Sequence, residues 1–371
     1  MAADVRRPID RLLLLFAILL VVVGMVGIYS ATALKSVDLT NAKGNGFLLQ
    51  QVAGGVMGLV LMLGVLQVDL HALRQNPKVL GWIYIGLVLL LASVFVFPAR
   101  NGAHRWISFA GKSFQPSEFA KPLVVLITAW WMVKHSHLWE RKEEAIPKLI
   151  TLVLILLPLL GLIVIEPDLG TTFLMVAVIT VVVFLGGAPK WIFAISLPVL
   201  GAVGFAFIWF APWRMQRMTS FMNPELDPHG AGFQGVQSLL AVGNGGPLGL
   251  GLGAGRQKLY FLPEAHTDFI FAVIAEEAGL LGTLLIFALF IGILWRGLRI
   301  ARRVRDPFLK LCAAGLTLMI VMQAFMNMSV VLSIFPNKGI PLPFISYGGT
   351  SLMGSLLMLG LLLLISKEAS E

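Results

Sequence analysis

The chain has 371 residues, of which 58% are hydrophobic and 13% are charged, and its formal net charge is +9. Its mean hydropathy of +0.88 excludes a soluble globular domain. The composition therefore predicts a polytopic membrane protein.

Ten continuous apolar segments are long enough to cross about 30 Å of hydrocarbon as helices. They lack the two-residue alternation of an outer-membrane barrel, so we predict an all-α membrane protein that forms one domain over residues 1–371. The predicted spans are roughly 12–34, 47–68, 79–97, 118–134, 147–165, 169–187, 191–210, 267–295, 308–333 and 345–366.

Basic residues predict the orientation of these spans. With the N-terminus inside, more than half of the 28 lysines and arginines fall on the cytoplasmic side, as the positive-inside rule requires. Both termini are then cytoplasmic, and one long extracytoplasmic loop, about residues 211–266, joins spans seven and eight. The positive charge also suits anionic lipid head groups, and no basic-aromatic pattern indicates nucleic acid.

The loop before the fourth span carries cationic side chains on the predicted outer side. His104, Arg105 and Lys112 offer hydrogen-bond donors at the membrane surface, where a phosphate head group would lie. Ser117 is predicted to cap the fourth helix, with Glu118 and Lys121 as i,i+3 neighbours on its first turn. A local ion pair explains Glu118 and Lys121 as well as a binding role does.

A very short connection joins spans five and six on the same side. Its Glu166, Pro167 and Asp168 suit a tight turn that enters a helix. Two acids at this depth are also suited to hold a divalent cation, and both interpretations stay open.

The long loop contains two recognisable stretches. Residues 232–242 have helical spacing and moderate apolarity, which predicts a short helix against the membrane surface. Residues 243–255 are rich in glycine but lack the Gly-Lys-Ser/Thr of a nucleotide loop. Close backbone approach and flexibility are the better expectation for these glycines.

Titratable residues cluster where this loop meets the eighth span. Glu264, His266 and Asp268 lie within five positions, a pattern that suits acid/base work on an anionic substrate. If Thr267 caps the helix, Asp268 and Glu276 share one face. The alternative is that Asp268 only favours the positive end of the helix dipole.

Residues 335–351 place proline, glycine and hydroxyl groups, including Ser346, at membrane depth. Non-helical backbone there must be buried in protein or line a cavity. The segment is either a structural re-entrant turn or a wall of the outer cavity.

Six stretches together resemble the motif series of the SEDS family (shape, elongation, division and sporulation), which are bacterial peptidoglycan glycosyltransferases. The resemblance extends over residues 12–366, and residues 257–263 and 338–349 are more similar to its FtsW branch than to its RodA branch. The stretches are 104–107 (HRWI), 114–121 (FQPSEFAK), 166–171 (EPDLGT), 227–232 (DPHGAG), 262–272 (LPEAHTDFIFA) and 341–349 (PLPFISYGG).

This resemblance implies that the chain polymerises lipid II on the outer face of the bacterial cytoplasmic membrane. An α-linked donor and a β-1,4 product require inversion, for which one carboxylate suffices, and the resemblance makes Asp268 the general base. A divalent cation (Mg or Mn) held by Asp268, Glu166 or Asp168 is a further expectation. The substrate-binding candidates are Arg105, Lys112, Lys121, Glu118, Glu264, His266 and Ser346.

The resemblance also implies partners, namely a class B penicillin-binding protein that supplies transpeptidation and other membrane proteins of the division or elongation machinery. Two alternatives remain at the level of sequence. One is a transporter, in particular a flippase for the same lipid, and the other is a non-catalytic scaffold.

Overall fold

The computed structural model describes residues 8–32, 44–99, 102–109, 112–139, 142–210, 212–222, 232–260, 262, 264–336 and 339–369. Helices dominate these residues. They are α1 Arg11–Thr32, α2 Gly44–Val65, α3 Leu70–Gln75, α4 Pro77–Ser93, α5 Ser117–Lys134, α6 Lys142–Ile165, α7 Leu169–Leu185, α8 Lys190–Trp209, α9 Pro212–Met222, α10 Phe233–Gly245, α11 Gln257–Tyr260, α12 Ile270–Arg303, α13 Pro307–Val331 and α14 Gly349–Ser366.

Each predicted span corresponds to one of these helices, which confirms the all-α membrane class. By length and composition, seven helices within the described residues are able to cross a membrane, namely α1, α2, α4, α6, α12, α13 and α14. Helix α7 is apolar but shorter. The number of crossings and the side of each terminus stay predictions.

Helix α13 lies at the centre of the bundle. It packs against α5, α7, α12 and α14, and most of its side chains are buried. Helices α2, α4 and α6 lie further out and expose large apolar side chains, among them Trp82 and Val153. Such an exposed apolar surface is expected where a helix meets lipid tails.

A small hairpin precedes α5 and was not predicted. Strands β1 (Ile107–Phe109) and β2 (Lys112–Phe114) pair antiparallel, with Ile107 opposite Phe114. Only two residues separate the strands in the sequence, which is the commonest spacing for a β-hairpin. The hairpin holds the segment that leads from Arg105 to the start of α5.

Helix α12 is broken within the predicted eighth span. Gly279 has φ +64° and ψ −161°, so the helical hydrogen-bond ladder stops there. A neighbouring loop replaces the missing bonds: the backbone N–H of Leu250 donates to the carbonyl of Glu276 at 3.0 Å, and Leu280 N–H donates to the carbonyl of Gly246 at 2.9 Å.

These bonds come from the glycine-rich segment 243–255, which comprises the end of α10 and the loop that follows it. A Cβ atom at Gly249 would lie 2.1 Å from the carbonyl oxygen of Glu277, and one at Gly245 would lie 2.0 Å from that of Ala275. No side chain fits at such distances, so the predicted close backbone approach is confirmed. The glycines allow this loop to enter the break in α12.

The predicted long loop is only partly described. It contains α9 and α10, and α10 confirms the short helix predicted at 232–242. Residues 211, 223–231, 261 and 263 lie outside the described residues, and so does most of the motif at 227–232. The extracytoplasmic position of the loop stays a prediction.

Candidate active site

Asp268 lies in the turn immediately before α12, which begins at Ile270. The Thr267 hydroxyl donates to the Glu264 carbonyl at 3.2 Å and to the Glu264 carboxylate at 3.1 Å. It is therefore engaged with the preceding turn, and the prediction that Thr267 caps the helix is wrong. The shared helical face proposed for Asp268 and Glu276 fails with it, because Asp268 is not helical.

Glu276 and Glu277 form a separate buried cluster with the glycine-rich segment. The Glu276 carboxylate accepts the backbone N–H of Arg256 at 3.0 Å. The Glu277 carboxylate pairs with the Lys258 ammonium and accepts the Ser30 hydroxyl at 2.7 Å. These contacts satisfy two acids inside the membrane bundle and fix the loop against α12.

A buried amide on α13 positions Asp268. Asn327 Nδ2 donates to the Asp268 carbonyl at 2.7 Å and to the Ile340 carbonyl at 2.8 Å. One side chain thus connects the turn before α12 to the non-helical segment 339–348.

Ser346 makes the second connection between these segments. Its hydroxyl donates to the Thr267 carbonyl at 2.7 Å and accepts the Leu342 N–H at 2.7 Å, and the Tyr347 N–H donates to the His266 carbonyl at 2.9 Å. The non-helical backbone predicted here is confirmed. Ser346 is buried, and its hydroxyl holds backbone, while its substrate-binding role stays a prediction.

Arg105, in the segment before β1, contacts the turn between α6 and α7. Its Nε donates to the Glu166 carbonyl at 3.2 Å, and its Nη2 donates to the Pro167 carbonyl. A Cβ atom at Gly339 would lie 3.2 Å from Asp268 Oδ2 and 3.9 Å from Arg105 Nη1. The carboxylate and the guanidinium therefore approach one small space that glycine leaves open.

The surroundings of Asp268 shift the pKa of this candidate base. The pKa of Asp268 is raised to about 7, chiefly by burial and also by the charge of Glu264, while the Arg105 guanidinium acts in the opposite direction. A carboxyl with a pKa near neutrality exchanges a proton readily at physiological pH. The structure thus places a poised acid/base group beside a cation.

Glu166 is a second perturbed carboxyl near Arg105. Its pKa is raised to about 8, chiefly by burial and also by the charge of Asp168, against the opposing effect of Arg105. Within the part of the chain that the structure describes, neither of its carboxyl oxygens has a hydrogen-bond partner. When Glu166 is protonated it carries no negative charge, so it does not compete with Asp268 for the Arg105 guanidinium.

Asp168 begins α7, as the predicted tight turn requires. Its Oδ1 accepts the Thr171 N–H at 3.2 Å, and Gln115 Nε2 lies 3.4 Å from its Oδ2. The same Gln115 amide donates to the Ser117 hydroxyl at 3.0 Å. Ser117 makes no capping bond to α5, so its predicted cap is wrong.

The metal prediction has no direct structural support. Among the described residues, no group of three or more His, Cys, Asp or Glu side chains is placed to hold a metal ion. Asp168 is engaged in capping, and Glu166 is fully buried. The divalent cation stays a prediction.

The predicted pair of Glu118 and Lys121 is present and buried. Lys121 Nζ lies 2.7 Å from Glu118 Oε1 and 2.8 Å from Gln323 Oε1, and both charged side chains are 1% exposed. Gln323 Nε2 in turn donates to the Pro341 carbonyl at 2.9 Å. This geometry favours a positioning role for the pair beneath segment 339–348, and direct substrate binding stays a prediction.

Sequence reasoning missed the two amides of α13. Gln323 and Asn327 are four positions apart and therefore share one face of that helix. Both are buried, and both bond segment 339–348. Two amides at helical spacing in an apolar span are the signal that would have found them.

The remaining candidates lie around the same turn. The His266 ring packs 5.1 Å from Phe47 and 5.3 Å from Tyr347, measured between ring centres. Glu264 is exposed. The backbone of Lys112 lies in β2, but its side chain is outside the described residues. Binding roles for these three candidates stay predictions.

Comparison with protein families matches residues 10–371 to the family described as "Cell cycle protein", which unites FtsW, RodA and SpoVE. Two relatives cover nearly the whole chain. The "Probable peptidoglycan glycosyltransferase FtsW" of Thiomicrospira cyclica is 38% identical over 98% of this chain and 92% of its own. The "Stage V sporulation protein E" of Bacillus subtilis is 38% identical over 96% of this chain and 97% of its own.

Solved structures show the same fold. A chain from a study described as "Structural coordination of polymerization and crosslinking by a peptidoglycan synthase complex" has a TM-score of 0.78 and 29% identity, over 96% of this chain and 97% of its own. The rod shape determining protein RodA of Thermus thermophilus has a TM-score of 0.69 and 27% identity, over 98% of both chains. The predicted resemblance, including its FtsW-like character, is confirmed.

Proposed function

Because this chain belongs to the family of FtsW, RodA and SpoVE, we propose that it is a peptidoglycan glycosyltransferase that polymerises lipid II. The observation that carries this proposal is the pair of Asp268 and Arg105 at the open space beside Gly339. Its relatives of comparable length are named peptidoglycan glycosyltransferases. A multi-pass membrane protein of this family would act at the outer face of the cytoplasmic membrane.

Asp268 acts as the general base. Its carboxylate accepts the proton of the acceptor 4-hydroxyl while that oxygen attacks the anomeric carbon of the donor. The bond from that carbon to the pyrophosphate oxygen breaks, and its electron pair leaves with undecaprenyl pyrophosphate. A single displacement of this kind inverts the anomeric centre and needs only one catalytic carboxylate.

Arg105 assists the leaving group. Two of its nitrogens are occupied by the carbonyls of Glu166 and Pro167, which fixes the plane of the guanidinium. Nη1 is directed to the Gly339 space and is available to a phosphate oxygen there. A positioned guanidinium stabilises the negative charge that develops on the departing pyrophosphate.

Gly339 keeps the reaction space open. Any side chain at this position would place its Cβ 3.2 Å from Asp268 Oδ2. It would therefore occupy the volume that a substrate hydroxyl needs in order to reach the base. The buried amides of Gln323 and Asn327 hold the segment that carries this glycine.

We further propose a class B penicillin-binding protein as partner. A structural relative belongs to a complex described as coordinating polymerization and crosslinking. Crosslinking of stem peptides needs an activated serine in a soluble domain. The longest predicted outer segment here, about residues 211–266, is too short and too rich in glycine to form one.

Reconstitution of the purified chain with labelled lipid II, with and without this partner, tests the proposal. A glycosyltransferase produces glycan polymer that disappears in Asp268→Asn. A flippase moves lipid II between leaflets without forming polymer, and a scaffold does neither. Polymer formation by Asp268→Asn at the wild-type rate would refute the proposed mechanism.

A further inference from the structure

A cavity lies at the opposite end of α12 from Asp268. Its volume is about 290 Å³, and it is enclosed by the start of α1, the last turns of α12 and the end of α14. At 1.5 Å per residue, the part of α12 from Ile270 to the break at Gly279 is roughly 14 Å long, and the part from the break to Arg296 is roughly 25 Å long. The predicted topology places the start of the eighth span on the outer side and its end on the cytoplasmic side, so we expect the cavity at the membrane face opposite the candidate active site.

Arginines dominate this cavity. The described residues that line it include four arginines and one aspartate: Arg11, Arg296, Arg299, Arg303 and Asp10. The Asp10 carboxylate is matched by the Arg296 guanidinium, whose Nε and Nη2 both donate to Asp10 Oδ2. Even without Arg303, the described part of the lining has more arginines than acids, which favours an anionic ligand.

The start of α1 adds to this positive potential. Residues 8–12 form one wall of the cavity, so the N-terminal end of a 22-residue helix borders it. That end carries the positive pole of the helix dipole. The Asp10 N–H donates to the Ser366 hydroxyl at 3.0 Å, which ties this wall to the end of α14.

Trp295 marks the level of the membrane interface at the cavity. Its side chain is 53% exposed, and the guanidinium carbons of Arg296 and Arg299 lie 5.3 and 5.6 Å from the centre of its ring. Exposed tryptophans concentrate at the head-group level of a bilayer. Leu12 and Leu15 of α1 are also exposed beside the cavity, where acyl chains would lie.

We infer that this cavity binds the phosphodiester head group of an anionic phospholipid from the leaflet opposite the candidate active site. The arginines of α1 and α12 contact the phosphate, and the acyl chains follow the exposed leucines of α1. Basic pockets between membrane helices are suited to such head groups. The apolar surroundings favour a lipid over a soluble anion. This inference does not depend on the proposed function.

The test measures lipid retention by native mass spectrometry. The full chain is purified in neutral detergent micelles that contain equal amounts of phosphatidylglycerol and phosphatidylcholine. The variant R11Q/R299Q removes one cation from each wall, and R302Q/R305Q makes the same change in net charge outside the described lining. Leu12→Glu keeps every arginine and adds a carboxylate at the cavity, in the first turn of α1 where an acid suits the helix.

The wild type should retain phosphatidylglycerol in preference to phosphatidylcholine. R11Q/R299Q should reduce that preference by about tenfold, Leu12→Glu should also reduce it, and R302Q/R305Q should change it by less than about twofold. Thermal unfolding in detergent micelles with phosphatidylcholine shows whether each variant is folded. If R11Q/R299Q is unfolded, the lipid preference of Leu12→Glu decides the test.

Three outcomes would overturn the inference. A wild-type chain without preference for phosphatidylglycerol has no such site. An equal loss of phosphatidylglycerol preference in both double variants would show that basic loops attract the lipid in general, without a specific site in the cavity. Displacement of the lipid by inorganic phosphate at millimolar concentration would show a site for the free anion instead.

Discussion

Asn327 holds Asp268 by its backbone, because its Nδ2 donates to the Asp268 carbonyl oxygen at 2.7 Å. The side-chain carboxylate is thereby left to face the space beside Gly339, while the main chain of the turn is fixed to α13. A base whose backbone is held by a buried amide keeps its position when substrate enters and leaves. Such preorganisation is what a general base needs to act within hydrogen-bond reach.

Removal of the base is the most direct test of the site. Asp268→Asn keeps the size of the side chain but accepts no proton, so polymerisation should fall by roughly 10² or more. The rate is measured as glycan polymer formed from labelled lipid II. Glu368→Gln, at an exposed carboxylate at the other end of the bundle, is the matched control and should retain activity.

The pH dependence of polymerisation should follow Asp268. Its pKa is raised to about 7, so the active carboxylate predominates above this pH and activity should fall as the pH drops below it. The Glu264 charge raises this pKa and the Arg105 charge lowers it. Glu264→Gln should therefore move the midpoint of the kcat/KM profile to lower pH, and Arg105→Gln should move it to higher pH. Movement of both midpoints in the same direction would contradict the assignment.

Arg105 should matter more than an arginine at the opposite membrane face. Arg105→Ala removes the guanidinium that holds the Glu166 turn and faces the Gly339 space, and turnover should fall by about tenfold or more. Arg302→Ala, at an exposed position near the end of α12, should leave the rate nearly unchanged. Both are compared in the purified polymerisation assay, and equal effects would argue against a phosphate role for Arg105.

Glu118 and Lys121 should behave as a buried pair. Lys121→Met leaves the Glu118 charge without its cation, and the loss of stability should be about 3–5 kcal/mol. Glu118→Gln combined with Lys121→Met removes both charges and should cost clearly less. Unfolding of the wild type and the two variants in detergent measures the difference. A double variant as unstable as Lys121→Met would contradict this account of the pair.

Polymerisation and crosslinking should reside in different chains. The purified chain should form a stable complex with a class B penicillin-binding protein in nanodiscs, and polymer yield should rise in that complex. A fluorescent β-lactam should label only the partner, since this chain offers no soluble transpeptidase domain in its predicted outer segments. Covalent labelling of this chain, or full activity that the partner does not change, would count against the division of labour.

Hydropathy was sufficient to locate the helices, since long apolar runs have few alternatives to helix in a bilayer. The clustering of titratable and cationic residues along the sequence was sufficient to identify Asp268 and Arg105 as candidate site residues. The helix start was misplaced because the Thr267 hydroxyl bonds to Glu264, a local competition that capping rules do not resolve.

Tertiary contacts determined what the sequence did not reveal. The break at Gly279 occurs in an apolar run without proline, and it depends on a loop that begins more than 30 positions earlier in the chain. The roles of Gln323 and Asn327 likewise depend on carbonyl groups of a segment beyond the end of α13. Local periodicity is able to indicate such side chains, but it does not identify the distant groups to which they bond.

The buried contact between Lys258 and Glu277 bears on how the chain is synthesised. The two residues are 19 positions apart, so a ribosome adding roughly 5–20 residues per second delivers both charges within about four seconds. Both charges are therefore synthesised before α12 is complete, so the pair is able to form before the carboxylate has to enter hydrocarbon alone. The Ser30 hydroxyl, which binds the same carboxylate, is translated 247 positions earlier. Its contact between α1 and α12 therefore forms only after most of the chain has been synthesised.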